Sequence, residues 1–209
     1  MSGLKLAALY GIKPHSLGFC GPKDKGALLN YLKGKSASRQ TGKKIRKILE
    51  QFKGAYPYYE LIAKNNGIKD PFDERVVRAY WVGNKLLEKD PKLYHCHHVL
   101  VVGSVTGRIV LKGKLLDLCR ICWGKVIKVS AKGGSASGGK SQKLKVIYQP
   151  LVGNKLRKPV EKEIDWDKDL VPKVKIGDWV SFHWNQAVEV LTEKDVKNLE
   201  KYTKITLTA

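Results

Sequence analysis

A chain of 209 residues, 43% hydrophobic and 28% charged, has the composition of an ordinary folded protein, which excludes disorder as the default state. No stretch approaches the roughly 18 apolar residues of a membrane span, and the Leu4 to Leu9 run is interrupted by Lys5 and too short for a secretion signal, so a soluble cytoplasmic protein with no membrane partner is expected. The net charge of +21, densest from Lys23 to Lys53, favours polyanions over cationic ligands, and in a reducing compartment Cys20, Cys96, Cys119 and Cys122 read as thiols or metal ligands before disulfides.

The first ninety-two residues read as a basic helical domain with Gly and Pro punctuation. Leu4 to Tyr10 and Asp24 to Leu32 are short helices. Ser38 to Phe52 places Ile45, Ile48, Leu49 and Phe52 at helical spacing opposite a basic face carrying Lys43, Lys44, Arg46 and Lys47. After Asp70 and Pro71, the residues Val76, Val77, Tyr80, Trp81, Leu86 and Leu87 keep the helical period until Asp90-Pro91. Residues 93–117 then read as a strand-rich connector, with a buried strand from Leu93 to Val102 and a second extended segment from Arg108. From residue 118 to 209 the pattern is short strands: Gly124 to Val129, Leu144 to Tyr148, Val160 to Ile164, Trp179 to His183 and Ala187 to Leu191. Thr192, with Asp195 three residues on, caps a final helix through Tyr202. The expected fold class is therefore α+β, a helical N-terminal domain followed by a small OB-like β-barrel with a C-terminal helix.

The stretch Gly134 to Ser141 satisfies the GxxxxGK[ST] phosphate-loop pattern. That loop works where it leaves a strand and enters a helix, whose N-terminal N–H groups converge on the phosphates. Here Leu144 to Tyr148 reads as a strand, so the match is declined, no nucleotide hydrolysis is expected, and Lys132 to Lys143 is read as a hairpin tip.

The segment Cys119-Arg120-Ile121-Cys122-Trp123-Gly124-Lys125-Val126 resembles the opening of the HypC/HupF hydrogenase maturation chaperones, a Cys, four residues, then Gly-Lys-Val and a strand. Downstream, Val174 to His183 resembles that family's Val-x-Val-Gly-Asp-Tyr-Val-x-x-His, and Ala187 to Leu191 with the following helix keeps the family's order. In the family the Cys stands just after the initiator Met and a Pro precedes Gly-Lys-Val; here 118 residues precede Cys119 and Trp123 replaces the Pro. The resemblance implies a non-enzymatic accessory role in [NiFe]-hydrogenase maturation or assembly. The partner would be the hydrogenase large subunit or a maturation scaffold protein, with iron as the cargo. Cys119 and His183 would hold the iron fragment or partner, with Gly124 and Lys125 beside them. Thiolate and imidazole suit such iron, provided the two come within roughly 10 Å at one open end of the barrel.

Cys119 and Cys122 also form a CxxC, half of a metal site; candidate companions are His95, Cys96, His97 and His98, of which His95 and His97 share one face of the expected strand and Cys96 and His98 the other, though buried thiols and hydrogen-bonded core histidines are the plainer reading. The alternating acids Glu161, Glu163, Asp165, Asp167 and Asp169 read as a solvated strand edge. Trp166, Trp179 and Trp184 read as core or contact residues before base-stacking ones. The competing function is a basic RNA- or DNA-binding protein that uses the barrel together with Lys43, Lys44, Arg46 and Lys47.

Overall fold

The computed structural model describes residues 1–16, 21–22, 24–34, 38–103, 111–130 and 142–209. The chain folds as two units, Met1–Leu111 with Lys201–Ala209, and Lys112–Glu200. The first unit is helical: α1 (Gly3–Ser16), α2 (Lys25–Leu32), α3 (Arg39–Glu50), α4 (Tyr56–Asn65) and α5 (Glu74–Trp81). Side-chain caps fix three of the starts, because an oxygen before the first turn satisfies an otherwise orphaned N–H. Asp24 accepts from Ala27 N, Ser38 from Thr41 N and Asp73 from Arg75 N. Helix α4, which the periodicity does not single out, has Pro57 in its first turn, where a missing N–H costs nothing. The core is aromatic. Tyr10 stacks on Trp81 at 4.9 Å between centroids, and the Trp81 indole N–H donates to the Tyr59 hydroxyl at 2.6 Å.

The connector is a correction. Pro91–Leu93 is a 3-10 turn, α6 is His95–His97, His98–Val102 is a π-type turn and α7 is Lys114–Cys119, so the described part of residues 93–117 holds short helical pieces joined by turns and no strand. Two local interactions redirect the chain: Asp90 accepts from Lys92 N at 3.2 Å, and the N–H groups of His97 and His98 both donate to Tyr94 O. Tertiary structure then decides against the β-branched composition. His95 and His98 both reach Tyr80, and residues three apart share a helical face but lie on opposite faces of a strand. The extended segment expected from Arg108 falls largely outside the described residues.

The second unit holds β1 (Cys122–Ser130), β2 (Gln142–Tyr148), β3 (Leu151–Val152), β4 (Lys155–Leu156), β5 (Val160–Trp166), β6 (Trp179–His183) and β7 (Gln186–Leu191). Strands β1-β2-β5-β7-β6 close into a five-stranded barrel, antiparallel except where β5 meets β7, while β3 and β4 form a separate hairpin. Inward positions follow the two-residue period: Leu144 and Val146 from β2, Val180 and Phe182 from β6 are at most 1% exposed. Around the phosphate-loop match, Ser130 pairs with Lys143, so β1 and β2 flank it as an antiparallel pair; residues 131–141, which contain the match, lie outside the described residues.

Helix α8 (Glu193–Leu207) starts at the reciprocal cap expected of Thr192 and Asp195: Thr192 N donates to Asp195 Oδ2 at 3.0 Å, and Asp195 N to Thr192 Oγ1 at 3.2 Å. It runs past Tyr202, whose hydroxyl donates to Asn84 O at 2.7 Å. The last nine residues therefore group with the helices, and the division falls at 111/112 and 200/201 in place of 92/93 and 117/118. The architecture is α+β, helices followed by an OB-like barrel and a C-terminal helix. No helix among the described residues is long and apolar enough to cross a membrane.

Candidate functional site

Cys119 is the last residue of α7, and His183 is the last residue of β6. Phe182 points into the barrel, so strand alternation turns His183 to the opposite face. The hairpin that follows turns at Trp184 and Asn185, both with positive φ (51° and 59°), the geometry of a tight two-residue β-turn. At that turn the Trp184 N–H donates to the Leu118 carbonyl at 2.9 Å, joining the residue after His183 to the residue before Cys119. The Cys119 sulfur and a ring nitrogen of His183 consequently lie within 4.8 Å of one another. The expected proximity holds. The expected open end does not: Cys119 is 2% and His183 1% exposed.

On the other side of Cys119 stands a feature that no spacing rule announces. Asp117 is buried and accepts from Arg120 Nε (3.0 Å), Arg120 Nη2 (2.9 Å), Tyr148 Oη (3.1 Å) and the Leu151 N–H (2.9 Å). Arg120, 1% exposed, also donates through Nη2 to Gln149 O at 2.6 Å and lies over the Trp123 ring. Both buried charges are thus met by charge-assisted bonds, the condition under which burial is tolerable. Burial, with the Asp117 carboxylate adding to it, pushes the Tyr148 phenol well above its ordinary range.

The two thiols of the CxxC sit on different elements, Cys119 on α7 and Cys122 on β1. Arg120 leaves α7 in extended conformation (φ −66°, ψ 156°), which carries Cys122 into β1 and into the barrel core. There its thiol donates to Asp117 O at 3.2 Å, the behaviour of a small buried hydrophobe with a weak donor. Cys96, like Cys119 and Cys122, is a buried thiol.

His95 and His97 do not share a strand face. In the helical unit, His95 Nδ1 (3.0 Å) and His98 Nδ1 (2.7 Å) both meet the Tyr80 hydroxyl, which donates its proton to Gly54 O at 2.6 Å. The Tyr80 hydroxyl thus links both imidazoles to the Gly54 carbonyl in one buried cluster. His97 is half-buried, and burial together with the Lys92 charge lowers its pKa.

Of the remaining candidates, Gly124 is a packing position. A Cβ there would lie 2.9 Å from Ile147 O and 3.1 Å from Val146, so the strands can approach only without one. Lys125 is exposed on β1 between Ile147 and Trp179. Lys43, Lys44 and Lys47 are exposed on α3, whereas Arg46 is bound to Asp70 through two bonds (3.0 and 2.8 Å) and stacks on Phe72. The acids of β5 are not a strand edge, since β5 lies between β2 and β7. Asp165 pairs with Lys143 at 2.6 Å and Glu161 with Lys145 at 3.0 Å, while Asp167 and Asp169 fall in the turn beyond. Trp166 is core, its indole donating to Val171 O at 2.8 Å; Trp184 is 4% exposed, and Trp179 is half-buried.

No curated protein and no solved structure matches the chain. A family model matches residues 1–94 and 87–209, which together span all of it. The chain belongs to DUF6390, a family of unknown function.

Proposed function

We propose that this chain is a non-enzymatic cytoplasmic accessory protein of metal-centre assembly, of the [NiFe]-hydrogenase maturation kind that its barrel resembles. Cys119 and His183 are its working pair, and the immature large subunit or a maturation scaffold protein is its partner. The observation that supports the reading is the placement of one thiol and one imidazole within 4.8 Å across 64 residues of sequence (183 − 119). A thiolate with an imidazole is a donor set suited to iron. The pair is buried, so a partner reaches it only when the protein opens locally, and the iron fragment is cargo handed over during that contact.

A second reading keeps one observation in its favour, the exposed Lys43, Lys44 and Lys47 in a chain of net charge +21: a basic protein that tracks a nucleic-acid backbone. Within the barrel the Lys–acid pairs of β2 and β5 and the buried Trp166 and Trp184 weigh against it. A salt titration separates the two. Phosphate-driven binding weakens steeply with added salt, in proportion to the phosphates neutralised. Capture of the maturation partner persists at moderate ionic strength and depends on Cys119. Capture that vanishes with salt and ignores Cys119→Ala contradicts the proposal.

A further inference from the structure

The geometry points to Asp117 and Arg120 as positioning residues that hold the Cys119 thiol opposite His183, an inference that rests on the reading of that pair as the working site. Cys119 is fixed from both neighbours. Leu118 is tied by its carbonyl to the Trp184 N–H, and Arg120 is tied by its guanidinium to Asp117 and Gln149 O. Asp117 in turn holds the chain on the far side of β2, through the Tyr148 hydroxyl and the Leu151 N–H. The C-terminal turn of α7 is thereby anchored both to the hairpin that carries His183 and to the end of β2, which fixes the backbone from which the thiol projects. A ligand pair prepared in this way loses less ordering entropy when it takes up a metal, and outer-sphere partners of this sort hold donor atoms in register. Neither Asp117 nor Arg120 touches the metal in this scheme; both act through Cys119.

Cobalt(II) is the probe, because a thiolate-bound cobalt ion absorbs in the near ultraviolet. The wild-type chain is expected to develop that absorption, Cys119→Ala to lose it, and Asp117→Asn to bind about 10- to 100-fold more weakly with an altered spectrum. Tyr148→Phe removes one of the bonds to Asp117 and is expected to fall between. If Asp117→Asn does not fold, the double variant Asp117→Asn/Arg120→Met, which buries no unpaired charge, takes its place. In the metal-free protein, the Cys119 ¹³Cβ and His183 ring ¹⁵N shifts are followed in the same variants. Shifts that move together in Asp117→Asn, in the direction seen for Cys119→Ala at His183, support the positioning role. An Asp117→Asn protein with wild-type cobalt affinity and spectrum overturns it. So do unchanged Cys119 and His183 shifts in a folded variant. A wild-type chain with no thiolate absorption contradicts the metal reading of the pair, and the metal-free shifts then decide the positioning role by themselves.

Discussion

Replacing Gly124 by Ala tests whether this motif glycine is demanded by packing. Its φ is not in the left-handed region, so the backbone tolerates a side chain and only space is at issue. The added methyl would stand 2.9 Å from Ile147 O and 3.1 Å from the Val146 side chain, and the nearest atom belongs to the backbone of β2, which pairs with β1 from Gly124–Tyr148 to Ser130–Lys143 with one register shift between Val126 and Lys128. Strands β1 and β2 must part locally. Overpacking of this sort costs about 1–3 kcal/mol, while the lost freedom of the unfolded chain returns about 0.4–1, leaving a net loss of about 1.3 kcal/mol at mid-range. In urea, with a slope of about 1–3 kcal/mol/M, that loss lowers the barrel midpoint by roughly 0.4–1.3 M, read from tryptophan fluorescence. Gly42 in α3 is the control: nothing lies within 4 Å of its added Cβ, and Gly42→Ala is expected to stabilise by about 0.5–1 kcal/mol. A Gly124→Ala barrel as stable as wild type would refute the close-approach argument, the more clearly if Gly42→Ala behaves as expected.

Asp117→Ala strands the buried Arg120 charge and is expected to cost about 3–5 kcal/mol in chemical denaturation, with Asp117→Leu/Arg120→Met recovering part of it; a loss below 1 kcal/mol for the single variant would mean that the hub is not closed as described. Burial raises the phenols of Tyr59 and Tyr148 in the folded chain, while in the unfolded chain they ionise near about pH 10, so the stability they contribute is complete below that pH and declines as pH rises above it. Tyr59→Phe and Tyr148→Phe should each flatten the alkaline limb of a thermal-stability profile, and a limb of unchanged slope in both contradicts the assignment. Because β1 and β2 flank the Gly134 to Ser141 match as an antiparallel pair, neither ATP nor GTP is expected to turn over; phosphate release that disappears in Lys140→Ala would be the contrary result.

The barrel was legible because its signal is local. Trp179 to His183 is strand as read, the other four barrel strands differ by at most two residues at an end, and the Thr192/Asp195 cap forms as its spacing implies. The connector was not legible, because His-Val-Leu-Val-Val has β-branched composition, whereas the helical face of His95 and His98 is favoured by distant groups, the Tyr80 hydroxyl and the Tyr58 and Trp81 rings. The Cys119–His183 pair was visible through resemblance of two separated motifs and not through any period. Asp117 carried no signal at all: one acid among Leu and Cys, whose donors come from Arg120, Cys122, Tyr148 and Leu151 and converge only once the barrel closes. Exposure was misjudged for the same reason, since a strand's alternation says which face a side chain takes and not whether that face is covered.

The most direct measurement is capture of a hydrogenase large subunit or its iron scaffold by purified wild-type chain and by three single variants, Cys119→Ala, His183→Ala and Cys122→Ala. Cys122 sits in the barrel core with its thiol on Asp117 O, whereas Cys119 faces His183. Cys119→Ala and His183→Ala are each expected to abolish or sharply weaken capture, while Cys122→Ala retains it. Capture unchanged in Cys119→Ala, or lost equally in Cys119→Ala and in a folded Cys122→Ala, would contradict the claim that the thiol–imidazole pair is the working site.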